Sequence, residues 1–438
     1  MRFAPPPKRL PSGQLAVPID IEHITAGLSF DTRTQRASGE ATLAFLHGID
    51  HGSPVFDLRQ PVTGAWLDGT RLGPAAVGFE RFGARHEQAL RVAGRKLRSG
   101  TPHQLRLAYD LAAPPLRASD AGGYPPELTW TGDAVHFNFG FTDLGGGRYL
   151  EAWVPANLIY DQFAFDLTVR VLHTPTPHTL ITNGEIVDES RNEWRVRYPG
   201  TFTALSPMLQ LHPTETVERR VRRAGGRRLE AWKFRASSID LDVQLDNIVQ
   251  WLARNEAAIG PYPHGKRFVA FMHRGGMEYD GACTASPDAL EHEVFHSWWA
   301  RGLKPASQND GWIDEAWTVY HDNGAARERP FDFAEPPVRL SPSTPWNRAT
   351  PIESYRLGSR FFEGIAARIG VEKLHSVMNE FYSLHAPGII STGQLETHIL
   401  DRTQDDVIRR AFERWVYGRM GTRSSSVPKP VRASKSSA

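Results

Sequence analysis

Alternation of apolar and polar positions dominates the first half of the chain. Residues 18–31 (PIDIEHITAGLSFD) and 36–48 (RASGEATLAFLHG) repeat with a period of two, as a strand with one buried face does. The stretches 104–111, 134–141, 163–172 and 193–200 read as strands as well. Clusters of Gly, Pro, Asp and Asn separate them, including NGE at 183–185 and LGGGR at 144–148. Short strands with no helical period between them predict a sandwich or a bent sheet, ending near residue 215.

The second half changes period. Residues 240–259 carry apolar side chains at helical spacing, and Gly260 stops them. RFVAFM (267–272) reads as a strand leading into GGMEYDG (275–281). Helices are expected at 287–301, 311–324, 353–369, 371–385, 391–401 and 404–418, the fifth opened by Ser391 and Gln394 in capping-box spacing. The expected fold class is α+β. A β-sandwich or saddle domain (15–215) follows an N-terminal extension (1–14) and precedes a mostly helical domain (216–420). The last stretch, 421–438, has no aromatic residue and too little apolar surface to fold, so it reads as a disordered tail.

Composition narrows the function. Of 438 residues, 51 are basic and 49 acidic, a net charge of +2 that advertises neither a nucleic-acid nor a membrane surface. The single cysteine, Cys283, excludes a disulfide framework and any zinc site built from several thiolates, and it reads as a small buried hydrophobe. No apolar run is long enough to span a bilayer, and the N-terminus lacks the apolar core of a signal peptide. The expected location is cytoplasmic, and nothing in the sequence reports on oligomeric state.

The chemistry concentrates in His292-Glu293-Val294-Phe295-His296, inside an expected helix. Histidines four apart lie one turn above the other on one face, so both imidazoles reach one ion. Zinc suits neutral imidazole, and a third ligand is needed from another element. Glu315 in WIDEAW, which follows His296 after an 18-residue spacer (297–314), lies far enough along for a loop and an antiparallel helix. By chance such a pattern, with a glutamate fixed downstream, occurs in roughly 0.2% of chains this long, so the metal reading prevails. Glu293 cannot point with the two histidines as an equivalent ligand. It suits a general base beside a metal-activated water, with one more donor required for the oxyanion. Asp314 and Asp322 flank Glu315 and read as solvated helix charges rather than carboxylates orienting a ligand histidine. Trp298 and Trp299 read as ordinary core or cleft-wall aromatics.

HEVFHSWW (292–299) followed by GWIDEAWTVY (311–320) resembles the gluzincin peptidases of the aminopeptidase N and leukotriene hydrolase family. GGMEYDG resembles that family's G-x-M-E-N exopeptidase motif. RYLEAWVPAN and FDLTVRVLHTPTPHTLITNGE resemble the end of its N-terminal saddle domain. FHSWWARGLKP is also similar to the glycyl aminopeptidases. The resemblance implies a thermolysin-like catalytic domain and one Zn2+ per chain on His292, His296 and Glu315. It implies an aminopeptidase acting on peptides with a free N-terminus, Glu293 being the general base and Glu278 holding the α-amine. Gly275, Gly276 and Met277 would offer backbone groups to the peptide, as an edge strand does. PIESYRLGSRFFEGI (351–365) resembles the stretch bearing the family's transition-state tyrosine, which nominates Tyr355 over Tyr320 as oxyanion donor.

The sequence departs from the family at three points. Tyr279 stands where asparagine is usual, only 13 residues separate Glu278 from His292, and the C-terminal helical domain that covers the cleft in larger members is missing. An open cleft keeps endopeptidase or leader-peptide processing as an alternative. A catalytically silent binding module of the same fold and an epoxide hydrolase are further ones.

Overall fold

The computed structural model describes residues 2–83, 89–116, 124–323, 333 and 337–419. Its first half is built on the alternating segments. Leu15–Asp31 and Arg36–His47 form a long antiparallel pair that Pro102–Leu111 extends on one side. On the other side Ala164–Leu172 runs parallel to the first strand, and Glu193–Tyr198 and Glu185–Ser190 follow it in a 12-stranded sheet. A second, four-stranded sheet joins Glu127–Thr131, Ala134–Asn138, Leu209–Pro213 and His178–Thr182. The inward faces of the two sheets share one core: the Phe137 ring lies 4.8 Å from that of Phe30 and 4.7 Å from that of Trp153.

The second half is less helical than its sequence suggests. It opens with a five-stranded sheet, ordered Val217–Ala224, Arg227–Phe234, Arg267–Met272, Ala282–Ala285, Gly276–Tyr279. The hairpin 217–234 escapes a periodicity reading because arginines occupy both faces of its outer strand. This sheet lies between two cores, and its period of two divides the residues between them. Val269, Phe271, Met277 and Tyr279 face the core of the first half, while Phe268, Ala270, Met272 and Cys283 face the helices. Cys283 is fully buried, which pushes its thiol pKa up and makes it the inert hydrophobe expected.

The helices are Leu241–Ala258, capped by Asp240, then Leu290–Phe295, Trp312–Asn323, Arg356–Ile369, Val371–His385, Thr392–Thr403 and Asp406–Ala411. Ser391 and Gln394 close the expected capping box. Two helices are shorter than expected. That at 287–301 is confined to Leu290–Phe295, because the chain turns tightly after His296, and that at 404–418 gives way to a π turn over Phe412–Val416. The expected strand at 134–141 stops at Asn138. Trp298 and Trp299 are both buried in the helical core. The expected tail, 421–438, lies outside the described residues. Among the described residues no helix is long and apolar enough to cross a membrane.

Candidate metal centre

Three elements converge on one point. The helix Leu290–Phe295 presents His292 and Glu293, and His296 caps its C-terminus with a near-helical backbone, so the two imidazoles stay one turn apart. Their Nε2 atoms lie 2.9 Å from each other. Glu315, in the first turn of Trp312–Asn323, places Oε2 3.5 Å from His292 Nε2 and 3.6 Å from His296 Nε2.

The outer nitrogens decide what those inner atoms are. His296 Nδ1 lies 2.9 Å from the carbonyl oxygen of Trp299, and a carbonyl only accepts, so Nδ1 carries the hydrogen. His292 Nδ1 lies 2.6 Å from Asp322 Oδ2, which fixes the same tautomer. Both Nε2 atoms therefore turn lone pairs toward each other and toward Glu315 Oε2, a buried oxygen with no hydrogen-bond donor. Three lone pairs aimed at one point call for a cation, and two imidazoles with a carboxylate are a donor set that fits zinc. Without one, protons are the substitute. Burial lowers the His296 pKa, but Glu278 and Glu315 outweigh it and push it up to about 10.

Asp322 corrects one sequence reading. It is no free helix charge but a carboxylate orienting a candidate ligand. Asp314 is buried rather than solvated, and its Oδ1 accepts the backbone N–H of Glu315 at 2.7 Å.

Glu293 lies beside the cluster, its Oε2 buried and without a hydrogen bond. Burial pushes its carboxyl up to about 8, with His292 and His296 pulling the other way. The strand Gly276–Tyr279 approaches so closely that a Cβ on Gly276 would clash with the Glu293 carboxylate, and a side chain there would displace it. That strand is the sheet's outer member, and alternation turns Met277 and Tyr279 into the first core and Glu278 toward the helices. Glu278, Glu293 and His296 each offer an atom within 4.8 Å of the others. Gly275 precedes them with a positive φ of 66°, turning the chain into the strand. Tyr355 sits where a short 3-10 turn becomes the helix Arg356–Ile369, and its hydroxyl donates to Glu315 Oε1 at 2.8 Å. Tyr320 points elsewhere, stacked on Trp317 in the helical core.

All nine residues singled out from the sequence thus lie on three neighbouring elements and one helix start. Two more join them unannounced. Asp143, from the LGGGR loop of the first half, has its carboxyl held well above the usual range by burial and by Glu315, Glu278 and Asp314. Arg301 donates to Glu278 Oε1 at 2.6 Å. Asp143 has no local spacing that ties it to HExxH, and Arg301, five residues past His296, has none that ties it to Glu278.

Solved structures match nearly the whole chain. It is similar to an M1 zinc metallopeptidase of Deinococcus radiodurans, at 17% identity, over 96% of this chain and 98% of that one, with a TM-score of 0.63. It is similar to Legionella pneumophila aminopeptidase A in complex with aspartic acid, at 13% identity over 94% of this chain and 51% of that one, TM-score 0.67. Yeast LTA4 hydrolase matches at 16% identity over 94% and 69% of the two chains, TM-score 0.63. No family model and no curated protein sequence matches. The fold is that of the M1 zinc metallopeptidases.

Proposed function

We propose that the chain is a zinc-dependent aminopeptidase of the M1 type, with a saddle-like β domain and a thermolysin-like catalytic domain. The observation that carries this reading is the position of Glu278. Its carboxylate comes within 4.8 Å of Glu293 and His296, on the free edge of a strand. An ammonium held there lies one residue from a carbonyl at the metal centre, which is the register of an exopeptidase.

His292, His296 and Glu315 would hold the ion, which when bound acidifies water and polarises a carbonyl. The chain's own groups do the rest. The outer edge of Gly275–Met277 pairs with the extended peptide. Glu293, beside the metal centre, takes the proton of the attacking water and returns it to the leaving amine. Tyr355 gives its O–H to the developing oxyanion. Charge supports a cationic substrate end. Asp143, Glu278, Glu293, Asp314 and Glu315 crowd one site beside the permanent cation Arg301, so a dication and an ammonium together relieve the repulsion. The Deinococcus radiodurans relative has been crystallised, as a mutant, with a Tyr-Ser-Ala substrate bound.

The test is a panel of short peptides offered with free and with acetylated N-termini. Acetylation is expected to lower kcat/KM by about a hundredfold or more, since it removes the charge that Glu278 binds. Equal cleavage of both would overturn the exopeptidase reading in favour of cleavage within chains.

A further inference from the structure

The strand that carries Glu278 is gripped from behind by the segment that follows the second histidine. Arg301 donates to Glu278 Oε1 at 2.6 Å, and Lys304 Nζ lies 2.6 Å from Asp280 Oδ2. All four side chains are buried: Arg301 is 3% exposed and Glu278 6%. Glu278 on the strand and Asp280 just past its end meet Arg301 in the turn leaving the metal helix and Lys304 in the short strand Leu303–Pro305 that follows.

That turn is held under strain. Ala300 has a φ of +119°, a region that residues with a Cβ rarely enter. Hydrogen bonds fix it there: Arg301 N–H donates to the His296 carbonyl at 3.1 Å and Leu303 N–H to that of Trp298 at 2.9 Å. Strained backbone persists where its surroundings over-determine it, and it marks sites where placement matters. Here the outcome of the strain is the position of one guanidinium. Its backbone is bonded directly to a candidate metal ligand, and its side chain to the candidate amine anchor.

We propose that Arg301 is a positioning residue that fixes Glu278 relative to the metal centre, and so sets the register at which a peptide's free amine is held. The inference rests on the reading of Glu278 as amine anchor. With Oε1 taken by Arg301, the carboxylate has one defined orientation, and its other oxygen is left for the ammonium. The buried guanidinium also sits in the field of Glu278, Asp280 and Asp314 and offsets their negative charge. Lys304 pairs likewise with Asp280 just past the strand's end, where its ammonium also donates to the carbonyl of Thr201.

The readout is the ratio of kcat/KM for a free-amine peptide to that for its N-acetylated counterpart, taken for the full chain, Arg301→Gln, Arg301→Lys and Glu278→Gln. Calorimetric binding of the same free and acetylated peptides to each variant in a Glu293→Gln background gives a measure independent of turnover. Arg301→Gln is expected to lower the ratio about tenfold or more, chiefly through KM of the free-amine peptide. Arg301→Lys keeps the charge but loses the planar, pre-oriented donor that reaches Glu278 Oε1, and is expected to lower it by about three- to tenfold. A purely structural role would lower both substrates alike and leave the ratio within about twofold. That result in Arg301→Gln, beside a ratio that collapses in Glu278→Gln, overturns the proposal. If Arg301→Gln does not fold, an unchanged ratio in Arg301→Lys overturns it equally. A full-length chain that never favours the free amine fails at the earlier step, the reading of Glu278 itself, and takes this proposal with it.

Discussion

Glu293 and Gly276 act as one unit. The missing side chain of the glycine is what lets a strand edge lie against the carboxylate, and the carboxylate's burial is what raises its pKa to the range where it exchanges protons near neutrality. Glu293→Gln removes that exchange while leaving the three lone pairs untouched. It is expected to retain zinc in metal analysis and to lose on the order of 4 kcal/mol or more of barrier reduction in kcat/KM. Tyr355→Phe removes one donor and is expected to cost about 2–4 kcal/mol, read as a fall in kcat at unchanged zinc content. An effect below about tenfold would assign the oxyanion to another group. At this scale the sequence was most informative where spacing alone implies geometry. His292, Glu293 and His296 share a helical turn, and Glu315 follows at a distance that admits one loop. Arg301 lies in the same motif, but its partner depends on a turn with a strained Ala300 that no periodicity reveals. Asp143 lies in a loop of the first half, and only the fold brings it near.

Among the elements, the short helix Leu290–Phe295 depends on its neighbours for orientation. Trp312–Asn323 supplies Glu315 from its first turn and Asp322 from its last, so one helix both completes the donor set and aims His292. Asp322→Ala leaves the His292 ring free to rotate and to change tautomer. Zinc affinity, measured by competition with a chelator, is expected to fall about 10- to 100-fold. An unchanged affinity would show that packing alone holds the ring. Strands of the first half were legible because one face of each is buried, as in Arg36–His47, whose burial alternates without a break. The hairpin Val217–Phe234 was not, since its arginines pair with Asp242, Asp246, Glu230 and Glu256 around it and so mask the buried face. The helix expected at 287–301 was too long because the turn after His296 uses a backbone shape that composition does not announce.

Taken whole, the molecule is held across its length by buried polar groups as well as by its cores. Arg348 reaches Asp57 at 2.5 Å and Glu151 at 2.6 Å, joining the segment before Tyr355 to the first half. Buried histidines add a pH dependence. Burial lowers the pKa of His212 from 6.5 to about 3, with His136 and His273 adding to the effect. The unfolded chain takes up this proton near pH 6.5 and the folded chain does not, so stability is complete above that pH and falls as pH drops toward 3. His212→Gln removes the titration. Its stability relative to the parent, from denaturant unfolding, is expected to improve by about 1.4 kcal/mol per pH unit below pH 6.5. A difference independent of pH would mean that His212 is charged in the fold.

The convergence of His292, His296 and Glu315 on one cation is the claim from which the chemistry follows, and metal analysis of the purified chain tests it most directly. About one equivalent of zinc per chain is expected, falling to background in His296→Ala and returning on addition of zinc after chelation of the parent. Less than about a tenth of an equivalent after reconstitution with zinc, or an equivalent that survives His296→Ala, would contradict it.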